Sequence, residues 1–292
     1  MFALLLPYVE LPDFHLFGLT IHPFGIFAAL GVYLGAVLTV RAGRVYGPGD
    51  TKTLSEVFTW ALVGGLLGAH LLHVLGYHPE LLRTQGPVVL LKIWDGVSSI
   101  GGVVGGAVGV SLYLRRRGLR FRPYSDAVAL GLAPGWTVAR IGCAVVHDHP
   151  GVRSNAWFAV AWPDGPRLDM GLVDCVLLAA ITVLLYVLAR KPRHQGVLMG
   201  VLGVTYSVPR FFLDFFRARD LSFVDGRFLG LTPAQWITPV LAAIAFYLLV
   251  TARRFPLVSV SLPPDAPRDA GGQVSATGQK EGPEARHAPG AR

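Results

Sequence analysis

Long apolar stretches alternate with short, arginine-bearing polar breaks along most of the chain, and the stretches have the length that crosses a bilayer. About 20 apolar residues, at a rise of about 1.5 Å each, span the roughly 30 Å of hydrocarbon. Seven stretches qualify, near residues 22–40, 54–76, 97–114, 124–146, 170–189, 196–216 and 234–252. The pattern predicts an all-α polytopic membrane protein with seven transmembrane helices. From Pro256 the sequence turns to Pro, Gly, Ala, Ser and mixed charge, with few large apolar residues to bury. This predicts a transmembrane domain over residues 1–255 and a disordered cytoplasmic tail over 256–292. No internal repeat is evident, which argues against a transporter built from duplicated halves.

Composition supports the membrane reading: 52% of residues are hydrophobic and 15% charged, a balance foreign to a soluble domain of this length. The formal charge of +8 does not point to nucleic acid, because the basic residues sit in the short breaks. They are Arg41 and Arg44; Arg115, Arg116, Arg117, Arg120 and Arg122; Arg190, Lys191 and Arg193; and Arg253 and Arg254. These clusters follow the first, third, fifth and seventh stretches, so those breaks are cytoplasmic, the N-terminus lies outside and the C-terminus inside. The first 24 residues carry Glu10 and Asp13 and no basic region ahead of their apolar residues, unlike a cleaved signal peptide. Cys143 and Cys175 both lie in apolar stretches and indicate neither a disulfide framework nor a zinc cluster.

Charges inside the apolar stretches carry the chemistry. Arg210, Asp214 and Arg217 fall at i, i+4 and i+7, one face of a helix. An ionisable side chain at the centre of a membrane helix costs about 2.5–3.5 kcal/mol on insertion scales, so it faces protein and has a partner. The three form either a structural ion pair near a helix end or an anion site at the membrane surface. Arg140 is a second such charge; its planar fork matches a phosphate or a carboxylate, and Asp214 is a possible structural partner. Just beyond, His147, Asp148 and His149 precede Pro150 and Gly151 where the chain leaves the membrane on the outer side. Alternating ligands in a loop, with no further His or Cys nearby, make a weak metal set. A histidine steered by a carboxylate can instead act as general base at neutral pH, and plain solvated loop residues are the third possibility. Cys143 reads as a small packing residue rather than a nucleophile, and His70 and His73 as buried, hydrogen-bonded groups. Glycines at 101, 105 and 109, and at 102 and 106, predict close helix approach. The alternative uses the Gly101 and Gly102 amides, beside Asp95, Ser98 and Ser99, to meet a lipid headgroup.

The run SDAVALGLAPGWTVARIG, the short polar stretch to Gly151, the later YSVPRFFLDFFRARD, and GLTPAQWITP together resemble the prolipoprotein diacylglyceryl transferases, in order and topology, over residues 18–254. The resemblance implies a seven-helix enzyme of the bacterial inner membrane with its site toward the outer leaflet. Such an enzyme moves the diacylglyceryl group of phosphatidylglycerol to the lipobox cysteine thiol of a preprolipoprotein signal peptide, forming a thioether and releasing glycerol phosphate. It implies no metal and no organic cofactor. Carried over by position, the signature arginine falls on Arg140, with Gly142, the acidic Asp148 and the closing Gly151. The arginine and acid of the sixth helix fall on Arg210 and Asp214, followed by Arg217 and Asp220, and the aspartate opening the fourth helix on Asp126.

Several positions depart from the family pattern. Ile100 replaces a histidine before the paired glycines, Phe24 a tyrosine before Gly25, Cys143 an asparagine, and Gly171, Leu172, Val173 and Asp174 a leucine, tyrosine and glutamate pattern. The expectation is a transferase in which Arg140, Arg210 and Arg217 hold the phosphate, Asp214, Gly142, Gly151, Gly101, Gly102, Ser99 and Asp126 line the substrate, and His147 or His149, steered by Asp148, deprotonates the thiol. The alternative is a non-catalytic binder of anionic phospholipid, or a transferase with another acceptor.

Overall fold

A computed structural model of the chain describes residues 5–16, 19–47, 50–92, 96–221 and 226–258. Asp95 and the tail from residue 259 lie outside the described residues. Eight helices follow one another among those described: α1 (Pro23–Tyr46), α2 (Thr51–Leu72, prolonged by a π-helical turn, His73–Tyr77), α3 (Glu80–Gln85), α4 (Ser99–Arg116), α5 (Arg122–Val146), α6 (Met170–Ala189), α7 (Val197–Leu213) and α8 (Pro233–Val250). Their starts are written in the sequence. Asp50, Ser98, Asp169 and Thr232 each accept a hydrogen bond from a first-turn backbone amide, and α1, α5 and α8 carry proline in the first turn, where a missing N–H costs nothing.

Among the described residues, six helical segments are long and apolar enough to cross a membrane: Pro23–Tyr46, Thr51–Tyr77, Arg122–Val146, Met170–Ala189, Val197–Phe216 and Pro233–Val250. The seventh expected span, α4, is 18 residues long but less apolar, since glycines fill much of it and Arg115 and Arg116 its last turn. Much of the surface of the six is apolar and unburied, as with Leu30, Tyr33, Leu66, Leu67, Val183, Val187, Val240, Ile244 and Phe246. A soluble protein does not present such a surface to water; hydrocarbon accommodates it.

Small residues set how the helices pair. A Cβ added to Gly31 of α1 would sit 2.4 Å from the Gly135 carbonyl oxygen of α5, and one on Gly101 of α4 2.4 Å from the Gly68 carbonyl oxygen of α2. Backbones therefore touch along both seams, as the glycine spacing predicts. Gly68→Ala is expected to lower the unfolding temperature in detergent by several degrees, because its Cβ would lie 2.5 Å from the Gly101 carbonyl oxygen. Gly102→Ala, whose nearest neighbour is at 3.8 Å, should leave it unchanged.

The segment expected as a loop after α5 instead folds into a small antiparallel sheet of order β3-β5-β4: β3 (Pro150–Arg153), β4 (Val160–Trp162) and β5 (Gly165–Asp169), numbered after the hairpin β1 (Phe14–Leu16) and β2 (Leu19–Ile21). At the opposite end β6 (Arg193–His194) pairs with β7 (Leu257–Val258), and the Gln195 amide donates to the Pro256 carbonyl at 3.1 Å. His70 is buried, its ring nitrogens 3.2 and 2.9 Å from the Gly96 and Val89 carbonyl oxygens, in keeping with a packed, hydrogen-bonded histidine.

Candidate functional site

α5, α6 and α7 each contribute a buried charge to one chain of contacts. Arg140 and Arg210 are 2% and 3% exposed, Asp174 and Asp214 0% and 1%. Asp174 Oδ2 lies 3.0 Å from Arg210 Nη1 and 3.6 Å from Arg140 Nη2, so one carboxylate bridges two guanidinium groups on different helices. Arg210 Nη2 lies 2.8 Å from Asp214 Oδ1, and Arg217 Nη1 3.9 Å from the same oxygen. Arg140 also donates to Ser99 Oγ at 3.0 Å, which ties the start of α4 to the cluster. The acid that pairs with Arg140 is Asp174 rather than Asp214, the partner considered from the sequence. Burial without partners would cost each of these charges several kcal/mol, so the chain of opposite signs is what makes the arrangement tolerable.

Asp214 is held from a second side. Thr232, the N-cap of α8, donates its hydroxyl to Asp214 Oδ2, and its own Oγ1 accepts from the Gln235 amide at 3.2 Å in a capping box. Gln235 Nε2 reaches the Phe211 carbonyl at 3.0 Å. The Thr-Pro-Ala-Gln run before the last span is therefore a clamp on the end of α7. Arg217 does not share a helical face with Arg210 as the spacing suggested. α7 ends at Leu213, residues Asp214–Phe216 form a 3-10 turn, and Arg217 is extended, with φ −70° and ψ 143°. It pairs across an isolated β-bridge with Gly151. A Cβ on Gly151 would sit 2.8 Å from Leu168 Cβ and 3.0 Å from the Phe216 carbonyl oxygen, and one on Gly142 2.9 Å from Phe27 Cβ. Both glycines serve close packing around the arginines.

The turn after α5 brings two histidines to the same end. His147 has φ 50°, a left-handed conformation that ends the helix. Its Nδ1 lies 2.5 Å from Asp169 Oδ2, whose other oxygen accepts from the Leu172 amide at 2.9 Å. Tyr8 stacks on the ring at 4.3 Å between centroids and Trp162 meets it edge-on at 5.6 Å. His147 Nε2 is buried without a hydrogen-bond partner. The carboxylate that steers His147 is thus Asp169, not Asp148. His149 Nδ1 lies 3.4 Å from Asp148 Oδ1 and 3.3 Å from Arg217 Nη2. Burial, then the charges of Arg217, Arg140 and Arg210, hold its imidazole well below the ordinary value, so it is neutral at pH 7. Burial pushes the Asp148 carboxyl up to about 6 against the pull of Arg140, with the Asp169 charge adding to the rise. Burial likewise raises Asp169, against the stabilising contact from His147.

A second ionic cluster fixes the sheet over this end. Arg167, fully buried, lies 2.6 Å from Asp164 Oδ2 and 2.7 Å from Asp220 Oδ2, and donates to the Gly151 carbonyl at 3.3 Å. The structure therefore unites Arg140, Arg210, Arg217, Asp214, Ser99, Asp148 and His149, with His147, Gly142 and Gly151 alongside. It does not bring Asp126 there. That carboxylate accepts from the Gly196 and Met199 amides at 2.9 and 3.1 Å, capping α7 at its other end. The amides of Gly101 and Gly102 are taken by Ser98, through its hydroxyl and carbonyl oxygens at 3.2 and 2.9 Å, rather than offered to a headgroup. Sequence reasoning missed the roles of Asp174, Asp169, Thr232 and Gln235. Asp174 alone carried a clear signal, an acid within a 20-residue apolar helix.

The family model for prolipoprotein diacylglyceryl transferase matches residues 13–251, a span that takes in the whole cluster. The chain belongs to this family. Curated relatives include the phosphatidylglycerol–prolipoprotein diacylglyceryl transferases of Nitratidesulfovibrio vulgaris (29% identical over 228 residues, covering 76% of this chain and 84% of the relative) and of Rhizobium leguminosarum bv. trifolii (29% over 277 residues, 86% and 96%). The transferase of Pseudomonas aeruginosa is 29% identical over 244 residues, 81% of this chain and 91% of the relative. Within this transferase family the chain's departures are physically coherent. Ile100, where the resemblance expects a histidine, is buried at 2% exposure beside Ser99 and has no proton to exchange.

Proposed function

We propose that the protein moves the diacylglyceryl group of phosphatidylglycerol to the lipobox cysteine thiol of a preprolipoprotein signal peptide, forming a thioether and releasing glycerol phosphate. The observation that carries this reading is the buried cluster itself. Arg140, Arg210 and Arg217 gather around the buried carboxylates of Asp174 and Asp214 with Asp148 beside them, and in this reading these guanidinium groups hold the phosphate ester. Cleaving the glyceryl carbon–oxygen bond leaves its electron pair on the phosphate, and fixed guanidinium groups stabilise that charge as it grows. His147, oriented through Nδ1 by Asp169, takes the thiol proton on Nε2, and the thiolate sulfur bonds to the glyceryl carbon. Asp148 and His149 line the acceptor's approach, with Gly142, Gly151 and Ser99 shaping the pocket.

The same reading sets the topology. α4 serves as the seventh span, the N-terminus lies outside and the C-terminus is cytoplasmic, with residues 1–255 as the transferase unit and 256–292 as its tail. Support comes from the basic residues: the helix ends bearing Arg44, Arg115, Arg122, Arg190 and Arg253 are remote from the cluster. The positive-inside rule then turns the cluster toward the outer leaflet of a bacterial inner membrane.

A second reading, a non-catalytic binder of anionic phospholipid, is favoured by one observation: buried Ile100 in place of a titratable group. Complementation of a bacterial strain depleted of its own transferase separates the two. The proposed enzyme restores lipoprotein modification, and its His147→Ala, His149→Ala double variant does not. Unmodified precursors in the strain carrying well-expressed wild type would favour the binder.

A further inference from the structure

Cys143 stands four residues before His147, and the fold brings its sulfur to the His147–Asp148–His149 turn. Cys143 lies in the last turn of α5, and the Cys143 sulfur, an Asp148 carboxylate oxygen and a His149 ring nitrogen all lie within 4.8 Å of one another. We propose that these three residues form a binding site for a thiophilic divalent cation, with Zn²⁺ the ion their chemistry suits best. Zinc bonds of about 2.3 Å to sulfur and about 2.0–2.2 Å to nitrogen or oxygen put tetrahedral ligand atoms roughly 3.3–3.7 Å apart, so side-chain rotations of about an ångström close the set. Three protein ligands leave a fourth position for water or a phosphate oxygen.

The surroundings favour this site in three ways. The backbone around it is fixed before any ion arrives: the His149 carbonyl accepts from the Met170 amide at 2.9 Å and the Pro150 carbonyl from the Ala218 amide at 3.0 Å. Entry is open, since the Cys143 residue is buried but the Asp148 and His149 side chains keep 38% and 23% of their surface exposed. The ligand charges also match the ion. Arg140 Nη1 donates to the sulfur at 3.7 Å and so fixes its position. Asp174 and Asp214 offset two of the three arginines, and the thiolate with Asp148 neutralises the ion. On binding, the thiol proton leaves to solvent.

The test uses the full-length, tag-free protein in detergent, stripped with EDTA and titrated with Cd²⁺, whose thiolate complexes absorb in the ultraviolet by charge transfer. The site predicts a band saturating at a single equivalent and competed away by Zn²⁺. It is abolished in Cys143→Ser, unchanged in Cys175→Ser, and needs at least about tenfold more Cd²⁺ in His149→Ala and Asp148→Asn. The two rim variants decide the matter should Cys143→Ser fail to fold. Absence of a saturable band, or a band kept by Cys143→Ser and lost from Cys175→Ser, or rim variants that titrate like wild type, would overturn the proposal. Because the readout is spectroscopic, its failure is separate from failure of the transferase reading. Resting on that reading, Zn²⁺ should also inhibit transfer, with EDTA restoring it.

Discussion

Arg210→Ala is expected to lower kcat for diacylglyceryl transfer by about 10²–10³-fold while leaving a folded protein. The side chain spans Asp174 and Asp214 with two different nitrogens, at 3.0 and 2.8 Å, so its guanidinium is held before any lipid arrives. Preorganised charge of this kind acts where the phosphate develops its negative charge and needs no rearrangement at the moment of reaction. Truncation leaves each carboxylate another partner: Asp174 keeps Arg140 and Asp214 keeps Thr232 and Arg217. Arg210→Lys should recover little, because a point charge cannot span both acids as a planar fork does. Initial rates of glycerol phosphate release, beside an unfolding curve in the same detergent, check both halves of the expectation. A rate within threefold of wild type would remove Arg210 from the site.

Asp174→Ala is expected to be the more damaging change for stability. It deletes the acid between Arg140 and Arg210 and leaves two buried cations facing each other. Breaking a buried pair by removing one partner costs about 3–5 kcal/mol, so the unfolding temperature should fall further than in Arg210→Ala, and transfer should be lost as well. Asp174→Asn, which keeps the shape and the hydrogen-bonding oxygen, should fall between wild type and Asp174→Ala. An unfolding temperature for Asp174→Ala equal to that of wild type would show that the bridge does not hold α5, α6 and α7 together.

Apolar length and charge punctuation made the helices legible, since a bilayer demands about 20 apolar residues per crossing and few other patterns produce that spacing. The arginines were legible for the complementary reason: a charge in an apolar span needs a partner. Which partner was not. Arg140 pairs with an acid 34 positions away, and nothing in local spacing distinguishes Asp174 from Asp214 as its counter-ion. The change from helix to extended chain at Asp214 and Arg217 was hidden by the same logic, because i, i+4, i+7 spacing continues in sequence whether or not the helix does. The sheet over the site was missed because strands of three to five residues are too short to leave an alternating pattern to read. His147 was legible as a histidine beside an acid, yet the acid it contacts is Asp169, 22 residues away.

In the proposed reaction the arginine cluster holds a phospholipid phosphate while a thiol displaces it. The most direct measurement supplies the purified protein with phosphatidylglycerol vesicles and a lipobox peptide, then follows peptide mass and glycerol phosphate together. The account predicts a peptide heavier by one diacylglyceryl group on its cysteine sulfur, an equal amount of glycerol phosphate, and neither product with a Cys→Ser peptide. Phosphatidylglycerol bound by the protein with no thioether and no glycerol phosphate formed would contradict it.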